Sequence, residues 1–425
     1  MGSPRSGWDP AYCVVLLLTL LLGIFLRLPQ TAFQEGGVLH LIEVAHPAPA
    51  FTGMGFDEHL YSKYVDSVIR EGLTEYPAIV DRYIEVQQGL PGSILPPVRF
   101  LYILSAYLWH CLFGSGGLTS LQAVASLFSI LTLLVSCAFA WRLKGPLWAL
   151  GTVALMACAP TQIHMSQHAL VDGFFTFWAL LCLWLLWENL RTPRRPVLLV
   201  LYTLALALLV LTKENSFFVF IAILALLVSN RWLGFGSVTK ELVVCTFAGP
   251  LFGVVVLIFL AGGIETLLTV YRLSVGKNFT LPFAIATGDG PWHRYLIDLL
   301  LVSPIVLLLA LGSLFRLART QTAELYLIVF VVASYAIMCN VRYGMNLRYA
   351  NMWDMPLRFL AFSQIVTFGE LNPKYRMTIV GGLLLFVSAF EIHQYIVLSV
   401  QYPLYELVTE GLLRALHILK GSALH

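Results

Sequence analysis

Residues 118–141 read LTSLQAVASLFSILTLLVSCAFAW, a run of 24 residues that contains no Asp, Glu, Lys or Arg. A helix that crosses the roughly 30 Å hydrocarbon core of a bilayer needs about 20 apolar residues. Lipid offers no hydrogen-bonding partners, so a helix is the natural way for such a segment to satisfy its backbone. The run therefore predicts a transmembrane helix.

Similar apolar runs recur along the rest of the chain. Of the 425 residues, 59% are hydrophobic and only 12% are charged, and the mean hydropathy is +0.81. This charged fraction is about half of what soluble domains carry. We therefore predict an all-α polytopic membrane protein that crosses the bilayer about eleven times. The apolar segments able to cross are 11–28, 118–141, 147–164, 170–188, 197–212, 216–230, 241–261, 297–315, 324–340, 349–368 and 377–395.

Basic residues in the connecting loops predict the orientation, because cytoplasmic loops of membrane proteins are enriched in Lys and Arg. All the basic connectors share one side if Pro97 to Phe113 does not cross, so we predict that this segment is a re-entrant or surface-lying helix. This topology has the N-terminus inside, the C-terminus outside and two long outer loops, 29–96 and 262–296. If 97–113 crosses, every later segment is inverted. The basic connectors are 141–144, 191–195, 231–240, 316–319 and 374–376.

Two segments outside the apolar runs have amphipathic spacing. Residues 57–72 place apolar side chains at helical intervals, with charged ones between them, and residues 402–419 repeat this pattern. Such helices are typical of the membrane surface. We expect both segments to lie there.

Composition and motifs exclude several functions. The net charge of +3 is small and scattered, which argues against nucleic-acid binding. The seven cysteines lie within or beside apolar runs without CxxC spacing, which favours packing roles over disulfides or a metal site. The chain has no dinucleotide-binding GxGxxG, no Walker motif and no HExxH, so nucleotide-driven and metalloprotease chemistry have no support.

Charged groups near membrane depth are costly and therefore mark candidate functional sites. The first is the adjacent pair Asp57 and Glu58, in a cluster that ends at Tyr61. In a dry pocket, Asp57 could act as a general base towards a hydroxyl or amine. At the start of a helix it could instead be a simple cap.

The second and third clusters interrupt otherwise apolar sequence. His168 and Asp172 lie four residues apart and would share a helix face, as a hydrogen-bonded pair or as two metal ligands. Capping of a helix by Asp172 explains the spacing equally well. Lys213 lies in the turn Thr212 to Asn215, either as a lysine that reaches for water or as a ligand for an anionic leaving group.

The fourth cluster runs from Arg342 to Tyr349 and continues to Arg358. Arginines on an outer loop go against the positive-inside preference, and their guanidinium groups are suited to phosphate. Arg348 is our first choice for such a contact. Together the four clusters predict a carboxylate base and several cations around one outward-facing cavity, an arrangement that suits a lipid-phosphate leaving group.

The order of these motifs resembles the GT-C superfamily of polyprenyl-phosphate-sugar-dependent glycosyltransferases, in the branch of protein O-mannosyltransferases and the lipid A aminoarabinose transferase. The similarity is good from residue 11 to about 230 and looser beyond. The matching stretches are FDEHLYSKYVDSVIREG from Phe56, PPVRFLYILSAYLWHCLFG from Pro96, SQHALVDGFFTFW from Ser166, LTKENSFFVF from Leu211 and LRYANMWDMPLRFLA from Leu347.

The resemblance implies a GT-C-type helical bundle in three parts. A transmembrane module, residues 1–230, includes outer loop 29–96. Variable helices, residues 231–400, include outer loop 262–296. An amphipathic tail, residues 401–425, follows.

The resemblance also implies an inverting sugar transfer from a polyprenyl-phosphate donor, undecaprenyl or dolichyl, to a lipid, glycan or protein acceptor outside the membrane. Asp57 would be the base, and Glu58 would help to bind the acceptor or a divalent metal. Lys213 would hold the donor phosphate. Arg99 would replace a cation that the family usually carries before its PP pair, where this chain has Leu95.

The remaining site predictions concern positioning and metal. His168, Asp172 and Tyr61 are expected to position substrate. If a metal is used, Asp57, Glu58 and His168 are the candidate ligands. The sugar and the acceptor are not identified by the sequence.

Two other functions suit the size and crossing number. A secondary transporter is one, although such proteins place binding groups at the bilayer midplane and often show repeated halves. A non-catalytic lipid-binding protein of the same fold is the other. The clustering of charge at one face favours the enzyme, in a bacterial inner membrane or plasma membrane rather than the endoplasmic reticulum.

Overall fold

The computed structural model describes residues 10–33, 38–48, 54–342, 344–405 and 408. Every regular element in these ranges is helical. The α-helices are α1 (Pro10–Arg27), α2 (Phe56–Glu71), α3 (Tyr76–Gly89), α4 (Phe100–Phe113), α5 (Gly117–Lys144), α6 (Pro146–Ala157), α7 (Pro160–Gln167), α8 (Val171–Arg191), α9 (Pro196–Val210), α10 (Ser216–Leu233), α11 (Lys240–Leu260), α12 (Ile264–Asn278), α13 (Pro282–Thr287), α14 (Arg294–Val302), α15 (Pro304–Leu314), α16 (Thr322–Met338), α17 (Asp354–Glu370) and α18 (Arg376–Tyr395).

Length and composition identify a multi-pass membrane protein. Within the described ranges, six helical stretches are long and apolar enough to cross a bilayer, and α6 with α7 makes a seventh if this bent pair forms one span. The all-α prediction is confirmed, whereas the number of eleven crossings stays a prediction. The described ranges also contain four shorter apolar helices, α4, α9, α15 and α16. Helix α4 lies in segment 97–113, and whether this segment crosses the bilayer stays untested.

Prolines break two of the apolar segments that the sequence predicted as possible spans. Helices α6 and α7 meet at an angle of 58° just before Pro160, and α14 ends two residues before Pro304, where α15 begins. Proline lacks a backbone N–H and disfavours helical geometry in the residue that precedes it. The short helix α7 is buried along its whole length, which places its polar side chains inside the bundle.

Arg27 compensates for the break between α6 and α7. A helix that ends inside a protein leaves backbone carbonyls without partners. The buried Arg27 guanidinium, at the end of α1, donates to the carbonyl oxygens of Met156 (2.7 Å) and Ala157 (3.1 Å), the last two residues of α6, and to Gly23 (2.9 Å). Arg27 thereby fixes α1 against the bend.

Residues 29–96, predicted as the first outer loop, contain two α-helices, α2 and α3, that pack on the bundle. The amphipathic helix predicted for residues 57–72 is present as α2. Its buried residues Tyr61, Val65 and Val68 join an apolar cluster with side chains of α3, α4 and α5, so this face packs against protein. Helix α3 was not predicted. The second amphipathic prediction, residues 402–419, lies outside the described residues except for Tyr402 to Tyr405 and Val408.

Residues 262–296, predicted as the second outer loop, contain α12 and α13 and contact the first such segment. Lys277, near the end of α12, donates from Nζ to the carbonyl oxygens of Gln87, Gln88 and Leu90 at the end of α3. These carbonyls are among the acceptors that a helix end leaves unpaired, and a cation there also interacts favourably with the helix dipole. Lys277 therefore joins segment 262–296 to segment 29–96.

A buried ionic cluster holds the start of α17 in place. Arg358 donates to Asp354 (Nη1 to Oδ1, 2.6 Å), to Glu391 on α18 (Nη2 to Oε2, 2.6 Å) and to the carbonyl oxygen of Leu155 on α6 (3.1 Å). The other oxygen of Asp354 accepts from Gln162 on α7 (2.9 Å). These bonds fix the orientation of the 3₁₀ turn Leu347–Trp353, which directly precedes α17.

Candidate active site

Four elements bring the predicted polar clusters together. They are the start of α2, the connection between α7 and α8, the turn between α9 and α10, and the 3₁₀ turn before α17. The clusters are distant in sequence: Asp57 and Arg348 are separated by 291 positions and Asp172 and Lys213 by 41. Tertiary packing of the bundle therefore creates the site.

Asp57 and Arg348 form the first ion pair of the site. Arg348 donates from Nη1 to Oδ2 of Asp57 at 3.2 Å. The Asp57 side chain keeps 27% of its surface exposed, against 11% for Arg348. A partly exposed carboxylate at the start of a helix can be reached by a substrate, so the geometry permits the base role as well as the capping role.

Glu58 points away from Asp57 and into the protein. Its Oε2 accepts from the backbone N–H of Gly55 (2.7 Å) and its Oε1 from that of Ala169 (2.6 Å), which links α2 to the start of α8. Burial alone would raise the pKa of Glu58, but His168 and these two N–H groups outweigh it and lower the pKa below its ordinary value. Glu58 is therefore an ionised structural link.

Lys213 and Asp172 form a second, deeper ion pair. Lys213 Nζ lies 2.5 Å from Oδ1 of Asp172, and the side chains are only 2% and 5% exposed. The same ammonium lies 3.9 Å from the ring centroid of Tyr349, a cation–π contact. Burial lowers the pKa of Lys213, and the opposing effect of Asp172 does not fully restore it.

Arg99 and Glu214 form the third pair. Arg99 donates from Nε to Oε2 of Glu214 at 3.1 Å and from Nη2 to Oε1, the two-bond arrangement favoured by guanidinium and carboxylate. Its Nη1 donates to the hydroxyl of Tyr61. Burial acts to lower the pKa of Arg99, but Glu214 and Tyr61 outweigh it, so the pKa is raised well above its ordinary value.

His168 lies on the other side of Glu58. Its Nδ1 is 3.5 Å from Oε1 of Glu58, and its ring lies next to that of His164, with 4.6 Å between the centroids and an angle of 45° between the ring planes. His164 in turn packs against Tyr405, which follows α18 (4.1 Å).

The donor set for a metal is incomplete in the described part of the chain. No group of three His, Cys, Asp or Glu side chains is arranged there to hold a metal ion. Of the three candidate ligands named from the sequence, Asp57 contacts Arg348, while Glu58 contacts backbone N–H groups and faces His168. These residues do not fit a divalent metal, and no step of the chemistry below uses one.

The site is a nearly charge-balanced cluster. Three cations, Arg99, Lys213 and Arg348, each contact a carboxylate of the same cluster. Arg348 and Tyr349 are neighbours in the chain, and one contacts Asp57 while the other contacts Lys213. This arrangement can hold an anion close to a carboxylate that is able to accept a proton.

All eight residues chosen from the sequence occur in this cluster, and three further members were missed. Glu214 was noted as polar without a role, although a carboxylate next to Lys213 is an obvious partner for a cation. Tyr349 was quoted in the fourth cluster, but a cation–π contact leaves no sequence signal. His164, one helical turn before His168, could have been found by that spacing.

The architecture has counterparts among solved structures. Over most of its length the fold of the chain is similar to those of ArnT and of an archaeal oligosaccharyltransferase, in agreement with the GT-C-type fold that the order of motifs predicted. No protein-family model matches the chain, and no curated protein matches it in sequence.

Three solved structures give the extent of this similarity. ArnT from Cupriavidus metallidurans in the apo state has a TM-score of 0.56 and 15% identity, over 94% of this chain and 78% of ArnT. The same protein bound to undecaprenyl phosphate has a TM-score of 0.53 at 15% identity, over 92% and 76%. The oligosaccharyltransferase AglB from Archaeoglobus fulgidus, in complex with an inhibitory peptide and a dolichol-phosphate, has a TM-score of 0.57 at 13% identity. The match covers 95% of this chain but only 56% of AglB.

Proposed function

We propose that the protein is a glycosyltransferase that moves a sugar from a polyprenyl-phosphate donor to an acceptor on the extracytoplasmic side of the membrane, with inversion at the anomeric carbon. The donor class is supported by two structural relatives, one bound to undecaprenyl phosphate and one to a dolichol-phosphate. The acceptor is a lipid, a glycan or a protein.

One observation carries the proposal. A partly exposed carboxylate, Asp57, contacts the guanidinium of Arg348, whose neighbour Tyr349 contacts the buried ammonium of Lys213. A reaction that releases a polyprenyl phosphate and removes a proton from the acceptor needs cations and a base close to each other. Such preorganised charges stabilise the charge that develops on the leaving group.

The reaction balances with these groups alone. The acceptor hydroxyl or amine attacks the anomeric carbon from the face opposite the phosphate, and its proton passes to Asp57. The bond between the anomeric carbon and the phosphate oxygen breaks, and its electrons remain on polyprenyl phosphate. A single displacement inverts the anomeric configuration.

The other residues hold and shape the leaving group. Lys213, Arg348 and Arg99 would contact its oxygens, since guanidinium and ammonium groups are the usual protein ligands of phosphate. Asp172 orients Lys213, and Tyr61 orients Arg99. His168 contacts Glu58 and thereby helps to position the first turn of α2, which carries Asp57.

Transfer by the purified, full-length protein in lipid nanodiscs tests the proposal. Undecaprenyl-phosphate and dolichyl-phosphate sugars are offered with candidate acceptors, and sugar transfer or donor hydrolysis is followed by mass spectrometry. We expect Asp57→Asn to reduce the rate by a factor of about 10²–10⁴, the usual contribution of a general base. The matched control is Asp81→Asn, an exposed carboxylate on α3, which should keep wild-type activity.

Full activity in a correctly folded Asp57→Asn variant would contradict the assignment of the base. Solute flux through proteoliposomes without any transfer or donor hydrolysis would favour the secondary transporter. Binding of polyprenyl phosphate without turnover of any sugar donor would favour a lipid-binding protein.

A further inference from the structure

The three ion pairs of the site differ in how tightly they are held. Lys213 and Asp172 are almost fully buried and 2.5 Å apart. Arg99 contacts Glu214 through two hydrogen bonds. Arg348 and Asp57 share one hydrogen bond of 3.2 Å, longer than the roughly 2.7–2.9 Å typical of charged partners. The Arg348 contact is therefore the one most easily exchanged.

A phosphate would compete with Asp57 for Arg348. The two free oxygens of a phosphodiester match the two-pronged guanidinium better than one carboxylate oxygen does. While Arg348 contacts Asp57, it holds one of the two carboxylate oxygens. A ligand that occupies Arg348 leaves both oxygens of Asp57 available.

We propose, on the basis of the proposed function, that Arg348 is an exchangeable partner: it contacts Asp57 in the empty site and moves to the donor phosphate when the donor binds, which frees Asp57 to act as the base. Acceptor bound without donor meets an Asp57 that is still held by Arg348. Donor therefore binds before the acceptor is activated, and the empty enzyme does not deprotonate acceptors unproductively.

Exchange has a measurable cost. A ligand that must displace an internal partner binds only the fraction of protein molecules in which that partner is already displaced, and its apparent affinity is reduced by this fraction. Removal of the competing carboxylate lowers this cost. Asp57→Asn should therefore bind undecaprenyl phosphate about twofold to fivefold more tightly than the wild type, the range usual for the loss of a partly exposed ion pair.

The experiment measures the affinity of the full-length protein for undecaprenyl phosphate in detergent, with undecaprenol as the ligand that lacks phosphate. Glu58→Gln is the matched control, since it removes an equal charge one residue away from a carboxylate that contacts backbone N–H groups and faces His168. We expect a smaller gain in this control. Asp57→Ser should reproduce the gain of Asp57→Asn, which guards against a folding defect in either variant.

A double variant completes the test. In Arg348→Gln the phosphate loses a ligand and affinity falls, and adding Asp57→Asn should then give no further gain. Unchanged or weaker binding in both Asp57 variants, or an equal gain in Glu58→Gln, overturns the exchange. Failure of the wild type itself to bind undecaprenyl phosphate contradicts the proposed function instead.

Discussion

The buried pair of Lys213 and Asp172 permits a quantitative prediction about stability. The charges are 2.5 Å apart and at most 5% exposed. With an effective dielectric constant of about 20, Coulomb's law gives an attraction of about 7 kcal/mol. Desolvation cancels part of this, so the loss of one partner, which leaves the other charge buried alone, should cost about 3–5 kcal/mol.

A double-mutant cycle separates this coupling from other effects. Lys213→Met and Asp172→Asn should each destabilise the protein by the amount given above, whereas the double variant should cost far less than their sum, because no unpaired charge remains buried. The assay is reversible unfolding in mixed detergent micelles. This assay measures the free energy of unfolding and does not depend on turnover, which we expect all three variants to lose.

An exposed pair provides the comparison. Arg82 and Glu71 contact each other at 2.5 Å, but their side chains are 50% and 29% exposed. Arg82→Gln should cost less than about 1 kcal/mol, as is usual for surface ion pairs. If the costs of the two single variants at Lys213 and Asp172 simply add in the double variant, the two charges are not coupled and the reasoning about the site is wrong.

Three further predictions concern pH and helix packing. Burial lowers the pKa of Lys213. The affinity for polyprenyl phosphate should therefore fall as pH rises, at a lower pH than for an ordinary lysine, and Lys213→Arg should remove this alkaline decline. A binding titration from pH 6 to 10 in which the wild type shows no decline contradicts this prediction. The pKa of Glu58 is lowered in the folded protein. The ionised Glu58 therefore stabilises the fold above the ordinary pKa of glutamate, and this contribution is lost as pH falls through the lowered pKa. The difference in unfolding free energy between the wild type and Glu58→Gln should become smaller in acid. Arg27→Met leaves the carbonyl oxygens of Met156 and Ala157 unpaired and should cost about 2–4 kcal/mol of unfolding free energy; a cost below about 0.5 kcal/mol would show that Arg27 does not cap α6.

Much of the helical framework could be predicted because lipid imposes one solution. In the bilayer the backbone of a segment such as 118–141 finds hydrogen-bonding partners only within a helix, and α5 covers this segment in the structure. The candidate site was also predictable in its members, because a charge such as Lys213 amid apolar sequence is expensive and stands out.

The pairing within the site could not be predicted. Arg348 was chosen for phosphate and Asp57 as a base, but their mutual contact depends on how α2 and the turn before α17 pack on the bundle. The role of Glu58 shows the same limit. Its neighbour Asp57 stays partly exposed beside Arg348, whereas Glu58 turns inward to the N–H of Ala169, 111 positions away.

Irregular and amphipathic regions were the hardest to predict. The loop 262–296 was expected only as a connection, yet α12 and α13 form within it. Lys277 of α12 contacts the end of α3, and hydropathy does not predict such a contact. The bend before Pro160 could have been foreseen from the proline, but its support by Arg27 could not.

The triple hydrogen bonding of Lys277 to the end of α3 has a consequence for engineering. Replacing residues 262–296 by a segment from another protein would also remove the three contacts by which Lys277 holds the end of α3, so a chimera without a lysine at this position should have a less stable segment 29–96. The two segments should therefore be exchanged together.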